Sequence, residues 1–145
     1  MPETNTAETI TVMHTVPERL PWVIFVTALE GGIGYWSRAY TYRPLKAASE
    51  GLDDDLQGFE AIVLDCVEHE DVAPNEVEDG DERLLTIDRA VILKGLEAIA
   101  TRRVKMADRI HEAVDSDLRG GGGCIDAEAA DCVVQAGLFG EVLYG

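Results

Sequence analysis

Apolar positions recur along this chain with two periods, and the switches between them mark the elements. Thr9 to Val16 alternates threonine or histidine with apolar side chains, the period of two of an edge or half-buried strand with His14 on its polar face. Trp22 to Val26 is apolar on all sides, and Pro17 and Pro21 precede it. Proline suits the first turn of a helix and glycine suits its end, so a buried helix is expected from Pro17 or Pro21 to Leu29, stopped by Gly31-Gly32. The β-branched Val23, Ile24, Val26 and Thr27 also fit a strand. One of the two glycines is expected in the left-handed conformation. Gly34 to Arg43 then reads as a strand. Its alternation sets Trp36, Arg38, Tyr40 and Tyr42 on one face, either packed on helices with Arg38 reaching solvent or forming a stacking platform.

The second half is more regular. Lys46 to Gln57 is a polar, helix-capable connection carrying Asp53-Asp54-Asp55. Phe59 to Val67 is apolar on both faces at its centre, which predicts a central strand holding Cys66 as a small core residue. After an acidic loop, Arg83 to Ile87 is a short strand pairing antiparallel with it. Asp88 is positioned to cap a helix whose apolar residues run through Ala100. A further helix is expected from about Val104 to Leu118, with Met106, Ile110 and Val114 on one stripe and His111 at its edge. The glycine run 120–123 reads as a reversal, since it lacks the GK[ST] of a phosphate-binding loop. Asp126 caps the last helix and Gly140 ends it. Ala129, Ala130, Ala136 and Gly137 permit close approach. The expected fold is α+β: one domain over residues 1–145, residues 1–8 disordered, with an antiparallel sheet of about four strands packed against three or four helices.

Composition adds one strong fact. There are 28 acidic and 12 basic residues, a net charge of −16. Such a surface repels phosphates, so neither direct nucleic-acid binding nor an anionic membrane is expected as a partner. It attracts basic protein surfaces, including those that normally hold DNA. The three cysteines form no CxxC pair, which argues against a disulfide framework and a cysteine zinc site. No apolar run approaches the roughly 20 residues that span a bilayer. Met1-Pro2-Glu3-Thr4 lacks a signal peptide's basic start, so an intracellular location is expected. His69 among Glu68, Glu70 and Asp71 reads as a surface histidine rather than a metal ligand. No metal, cofactor or catalytic residue is assigned.

Two stretches carry a resemblance. Glu30-Gly31-Gly32-Ile33-Gly34-Tyr35-Trp36 near the start and Ala130-Asp131 through Gln135, Leu138-Phe139-Gly140-Glu141 and Tyr144-Gly145 at the end are similar to a group of small bacteriophage proteins. That group carries an EGG-x-x-YW motif and a closing AD-x-x-x-Q-x-x-LFGE-x-x-YG motif. The resemblance implies a phage-encoded accessory protein in the host cytoplasm and carries no catalytic role. It draws attention to Glu30, Gly31, Gly32, Tyr35, Trp36, Asp131, Gln135 and Glu141.

Asp131 and Gln135 are four apart and share one helix face. Packed beside the glycine hinge, that face would bring Glu30, Gly31, Gly32, Tyr35, Trp36, Asp131 and Gln135 to one ligand pocket, an aromatic ring stacking on a flat ligand while Asp131 and Gln135 read its edge. Alternatively, a buried Asp131 and Gln135 satisfy the unpaired backbone groups around the hinge. Three functions follow. The first is an accessory protein that binds non-covalently and inhibits or sequesters a host or defence protein, with an acidic DNA mimic as one version. The second is a binder of a nucleotide-like small molecule at the hinge. The third, an enzyme with Glu30, Asp131 and Glu141 as paired carboxylates, is demanded by no spacing. The apolar C-terminal stretch suggests a homodimer.

Overall fold

The computed structural model describes residues 15–43, 58–120 and 122–145. The strand expected at Thr9 to Val16 falls almost wholly outside them, as do the connection at Lys46 to Gln57 and residues 1–8. Among the described residues the fold is α+β, with four α-helices and a three-stranded antiparallel sheet.

Pro21 lies in the first turn of α1 (Leu20–Thr27), where its missing N–H leaves no gap. The helix widens into a π-turn (Ala28–Gly32). Gly31 and Gly32 do not take the left-handed conformation expected of them, because positive φ among the glycines is confined to later positions. Gly32 is required for a different reason. A Cβ there would stand 2.7 Å from the carbonyl oxygen of Ala127, so the missing side chain lets the last helix close on the turn.

Strands β1 (Ser37–Arg43), β2 (Glu60–Asp65) and β3 (Leu84–Asp88) form the sheet in that order, with β2 central as its two-sided apolar pattern demands. Ser37 pairs with Asp65 and Glu60 with Asp88. A bulge between Ala39 and Thr41 breaks the alternation of β1. Tyr35 and Trp36 lie in the turn before the strand, so the expected aromatic face does not form. Trp36 is fully buried while Arg38 is exposed, its guanidinium donating to the Gly34 and Ser37 carbonyls. Tyr40 donates to Asp79 instead of joining Trp36. Cys66, expected in the core, is only half-buried.

Asp88 begins α2 (Arg89–Ala100) by accepting the Val91 N–H at 3.0 Å, as its position before the apolar run predicts. Helix α3 (Asp108–Leu118) starts later than expected, because Met106 belongs to the preceding loop. The Met106 N–H donates to His111 Nε2 on a buried ring. Asp117 bridges the glycine run by accepting the Cys124 and Ile125 N–H groups. Helix α4 (Ala127–Phe139) is capped by Asp126 through the Ala129 N–H, and Gly140 ends it at φ 75°. Every residue from Ala129 to Gly137 is buried, so α4 is the central helix of the core. Ala61, Val63 and Ile87 of the sheet share that core with Ile24, Phe25, Ile92 and Val133. No helix among the described residues is long and apolar enough to cross a membrane.

Candidate functional site

The closed approach of α4 to the π-turn places Asp131 under the Tyr35-Trp36 turn. Asp131 is buried and accepts three hydrogen bonds. Tyr35 Oη donates to its Oδ2 at 2.5 Å. Trp36 Nε1 and Gln135 Nε2 donate to its Oδ1 at 2.8 and 2.9 Å. All three donors are neutral. The i, i+4 spacing read from sequence makes the contact between Gln135 and Asp131 on one helix face.

Gln135 has no solvent exposure and works in two directions. Its Oε1 accepts the N–H groups of Leu143 and Tyr144 at 2.8 and 2.9 Å, and its Nε2 also donates to the Tyr144 carbonyl at 3.1 Å. One amide side chain thus stands in for a neighbouring strand and fastens the segment 142–145 over α4. Tyr144 then stacks on Trp36 with ring centroids 5.7 Å apart, and Phe139 meets both rings edge-on. The Tyr144 hydroxyl donates to Asp65 Oδ2 at 2.6 Å. The other oxygen of Asp65 accepts the Val67 and Glu68 N–H groups and so terminates β2.

The environment sets the titration of these groups. Partial burial of the hydroxyl and the Asp131 carboxylate beside it raise the Tyr35 phenol well above its usual range. Bonding to Asp65 pushes Tyr144 up to about 12. Cys132, the neighbour of Asp131, has its thiol pushed up to about 11 by burial and by the Asp131 and Glu128 charges. It is therefore a thiol rather than a nucleophilic thiolate near neutral pH.

Outside this network lies an open cleft of about 600 Å3. Gly31, Gly32 and Tyr35 form one wall, and the first half of α4 forms the floor with Ala127, Glu128, Asp131 and Cys132. Met106, Val142, Tyr144 and Gly145 close the remaining sides. Its size is that of a small-ligand site. Among the described residues no lysine or arginine lines it. Arg109 lies beside it and is held by Glu128.

Four of the seven residues expected to bind ligand, Gly31, Gly32, Tyr35 and Asp131, therefore line one cleft. Three do not. Trp36 and Gln135 are sealed beneath it, and Trp36 presents its faces to Tyr144 and Phe139 rather than to a ligand. Glu30 is exposed and lies off the cleft, as does Glu141. Asp131 and Gln135 pair with the Tyr35 and Trp36 side chains beside the hinge and with the backbone of Leu143 and Tyr144. Two members were missed. Tyr144 stood in the closing motif without being singled out, and Asp65 was visible as the carboxylate that closes an apolar run in the central strand. Among the described residues no cluster of histidine, cysteine and carboxylate groups is arranged to hold a metal ion.

No protein-family model, curated protein or solved structure matches this chain.

Proposed function

We propose that the protein acts by non-covalent binding through this cleft, as a phage-encoded accessory protein that engages a host or defence component in the host cytoplasm. The observation that carries the reading is the division of labour around Asp131. Its carboxylate is held by Tyr35, Trp36 and Gln135, while one edge still lines the cleft. Groups so fixed shape a wall, and they are poorly suited to cycling a proton. Among the described residues the lining holds no basic side chain, which disfavours a phosphate-bearing ligand, so a nucleotide-like molecule is the weaker alternative.

The net charge of −16 favours a basic protein as partner and supports the acidic-mimic version of the same reading. The test is capture from host lysate by the tagged protein beside a Met106→Trp variant that fills the cleft. Half of each eluate is analysed for proteins, and half is heated and analysed for released small molecules. The expected result is a specific protein partner that the variant loses and that high salt weakens. Equal capture by both forms overturns the assignment to the cleft.

A further inference from the structure

Resting on that reading, we infer that the cleft is a socket for an arginine side chain presented by a basic protein partner. The walls suit the aliphatic stem. Met106, Ala127 and Val142 offer apolar surface along the sides of a space of about 600 Å3. The end groups suit the guanidinium. Asp131 receives only neutral donors, so no cation of this chain balances it within that network. Its Oδ2 accepts from Tyr35 alone, which leaves acceptor capacity on a carboxylate that is among the residues lining the cleft.

Glu128, one turn earlier on α4, also lines the cleft and already accepts a guanidinium, that of Arg109, through Oε2. The cleft mouth is thus a place where this chemistry is satisfied once within the molecule. Tyr35 remains half exposed at 52% while its hydroxyl points inward, so its ring is available for an arginine to stack upon. The overall charge of −16 draws such a partner in. Arginine is favoured over lysine because its planar head bonds a carboxylate and stacks on a ring together.

The experiment is an NMR titration of the full-length, 15N-labelled protein with the capped peptide acetyl-Gly-Arg-Gly-amide. Its counterparts carry citrulline, lysine or glutamate at the central position. The arginine peptide is expected to shift the amides of Gly31, Gly32, Ala127, Asp131 and Gly145. The citrulline peptide, equal in shape and neutral, is expected to bind about tenfold more weakly. The glutamate peptide should leave those amides in place. Glu128→Lys, an exposed change, should weaken the arginine peptide about tenfold while the rest of the spectrum stays native.

Equal binding of the citrulline and arginine peptides overturns the inference but leaves the cleft a binding site. So does silence of the cleft amides towards every peptide, provided Met106→Trp still abolishes capture from lysate. Capture that survives Met106→Trp defeats the underlying reading instead.

Discussion

Gly95 of α2 and Gly137 of α4 mark the crossing of the two helices. A Cβ on Gly95 would stand 3.1 Å from the Gly137 nitrogen and 1.9 Å from the Val133 carbonyl oxygen. A Cβ on Gly137 would stand 2.1 Å from the Val91 carbonyl oxygen. Both obstacles are backbone, which cannot rotate aside. The two missing side chains therefore set the separation of the helices, and that separation seats α4 against the π-turn and the cleft floor.

Gly95→Ala and Gly137→Ala are each expected to destabilise by about 3 kcal/mol or more. The gain of about 1 kcal/mol that alanine normally brings inside a helix works against this and is outweighed. The π-turn supplies an internal contrast. Gly32→Ala meets the Ala127 carbonyl oxygen and should cost about 1–3 kcal/mol. Gly31→Ala meets only the Ala127 side chain at 3.7 Å, an ordinary contact, and should be tolerated. Urea midpoints for the four variants check the ranking, and a tolerated Gly95→Ala contradicts the close crossing.

Gln135→Met keeps the volume of the side chain and removes its hydrogen bonds. The Leu143 and Tyr144 N–H groups then lose their acceptor, and Asp131 loses one donor. The expected cost is about 1–3 kcal/mol. Hydrogen exchange is the sharper readout. The amides of Leu143 and Tyr144 should exchange much faster than in the parent, while those in the middle of α4 change only with global stability. Unchanged protection at Leu143 and Tyr144 shows that something other than Gln135 holds the segment.

Local signals in the sequence were legible and tertiary ones were mostly not. Asp88, Asp126 and Gly140 were readable because a cap depends on residues within one helical turn. The central strand was readable because both its faces are apolar. The faces of β1 were misread because Tyr35 and Trp36 form a turn and a bulge follows Ala39, so a period of two does not run through the segment. Gly31-Gly32 was read as a left-handed stop, whereas Gly32 is there for the approach of a helix nearly a hundred residues away. Gly137 reads from sequence as a small contact residue, but its partner Gly95 carries no local signal. In the candidate site, Asp131 with Gln135 was visible from spacing. The receiving groups, Tyr144 and Asp65, meet only through the fold.

The two phenols bonded to carboxylates make stability depend on alkaline pH. A tyrosine whose folded pKa is raised contributes stability that is fully present below its unfolded value of about 10 and lost as pH rises through the folded value. Tyr144 is raised to about 12 by its bond to Asp65, and Tyr35 is raised beside Asp131. Stability should therefore fall progressively from about pH 10 to pH 12. Tyrosine ionisation followed by ultraviolet absorbance should be biphasic, the late phase coinciding with unfolding. Tyr144→Phe should remove part of the late phase and lessen the slope of stability against pH in that window. A single phase at the ordinary tyrosine value places neither hydroxyl against a carboxylate.

The three thiols should react in an order set by exposure and ionisation. Cys124 is exposed and Cys66 half-buried, whereas Cys132 is 5% exposed with its thiol pushed up to about 11. Since the thiolate is the reactive form, iodoacetamide at pH 8 should modify Cys124 first, Cys66 next and Cys132 last. Peptide mass spectrometry over time resolves the three rates. Cys132 also lies on the cleft floor, so its slow labelling reports on the cleft itself. An occupant should slow it further without changing Cys124, which does not line the cleft. Gly32→Ala, by lifting α4 from the π-turn, should speed Cys132 alone. If Cys132 instead reacts as fast as Cys124, the floor of the cleft is open to solvent, and the packing that positions Asp131 beneath Tyr35 and Trp36 is not maintained in solution.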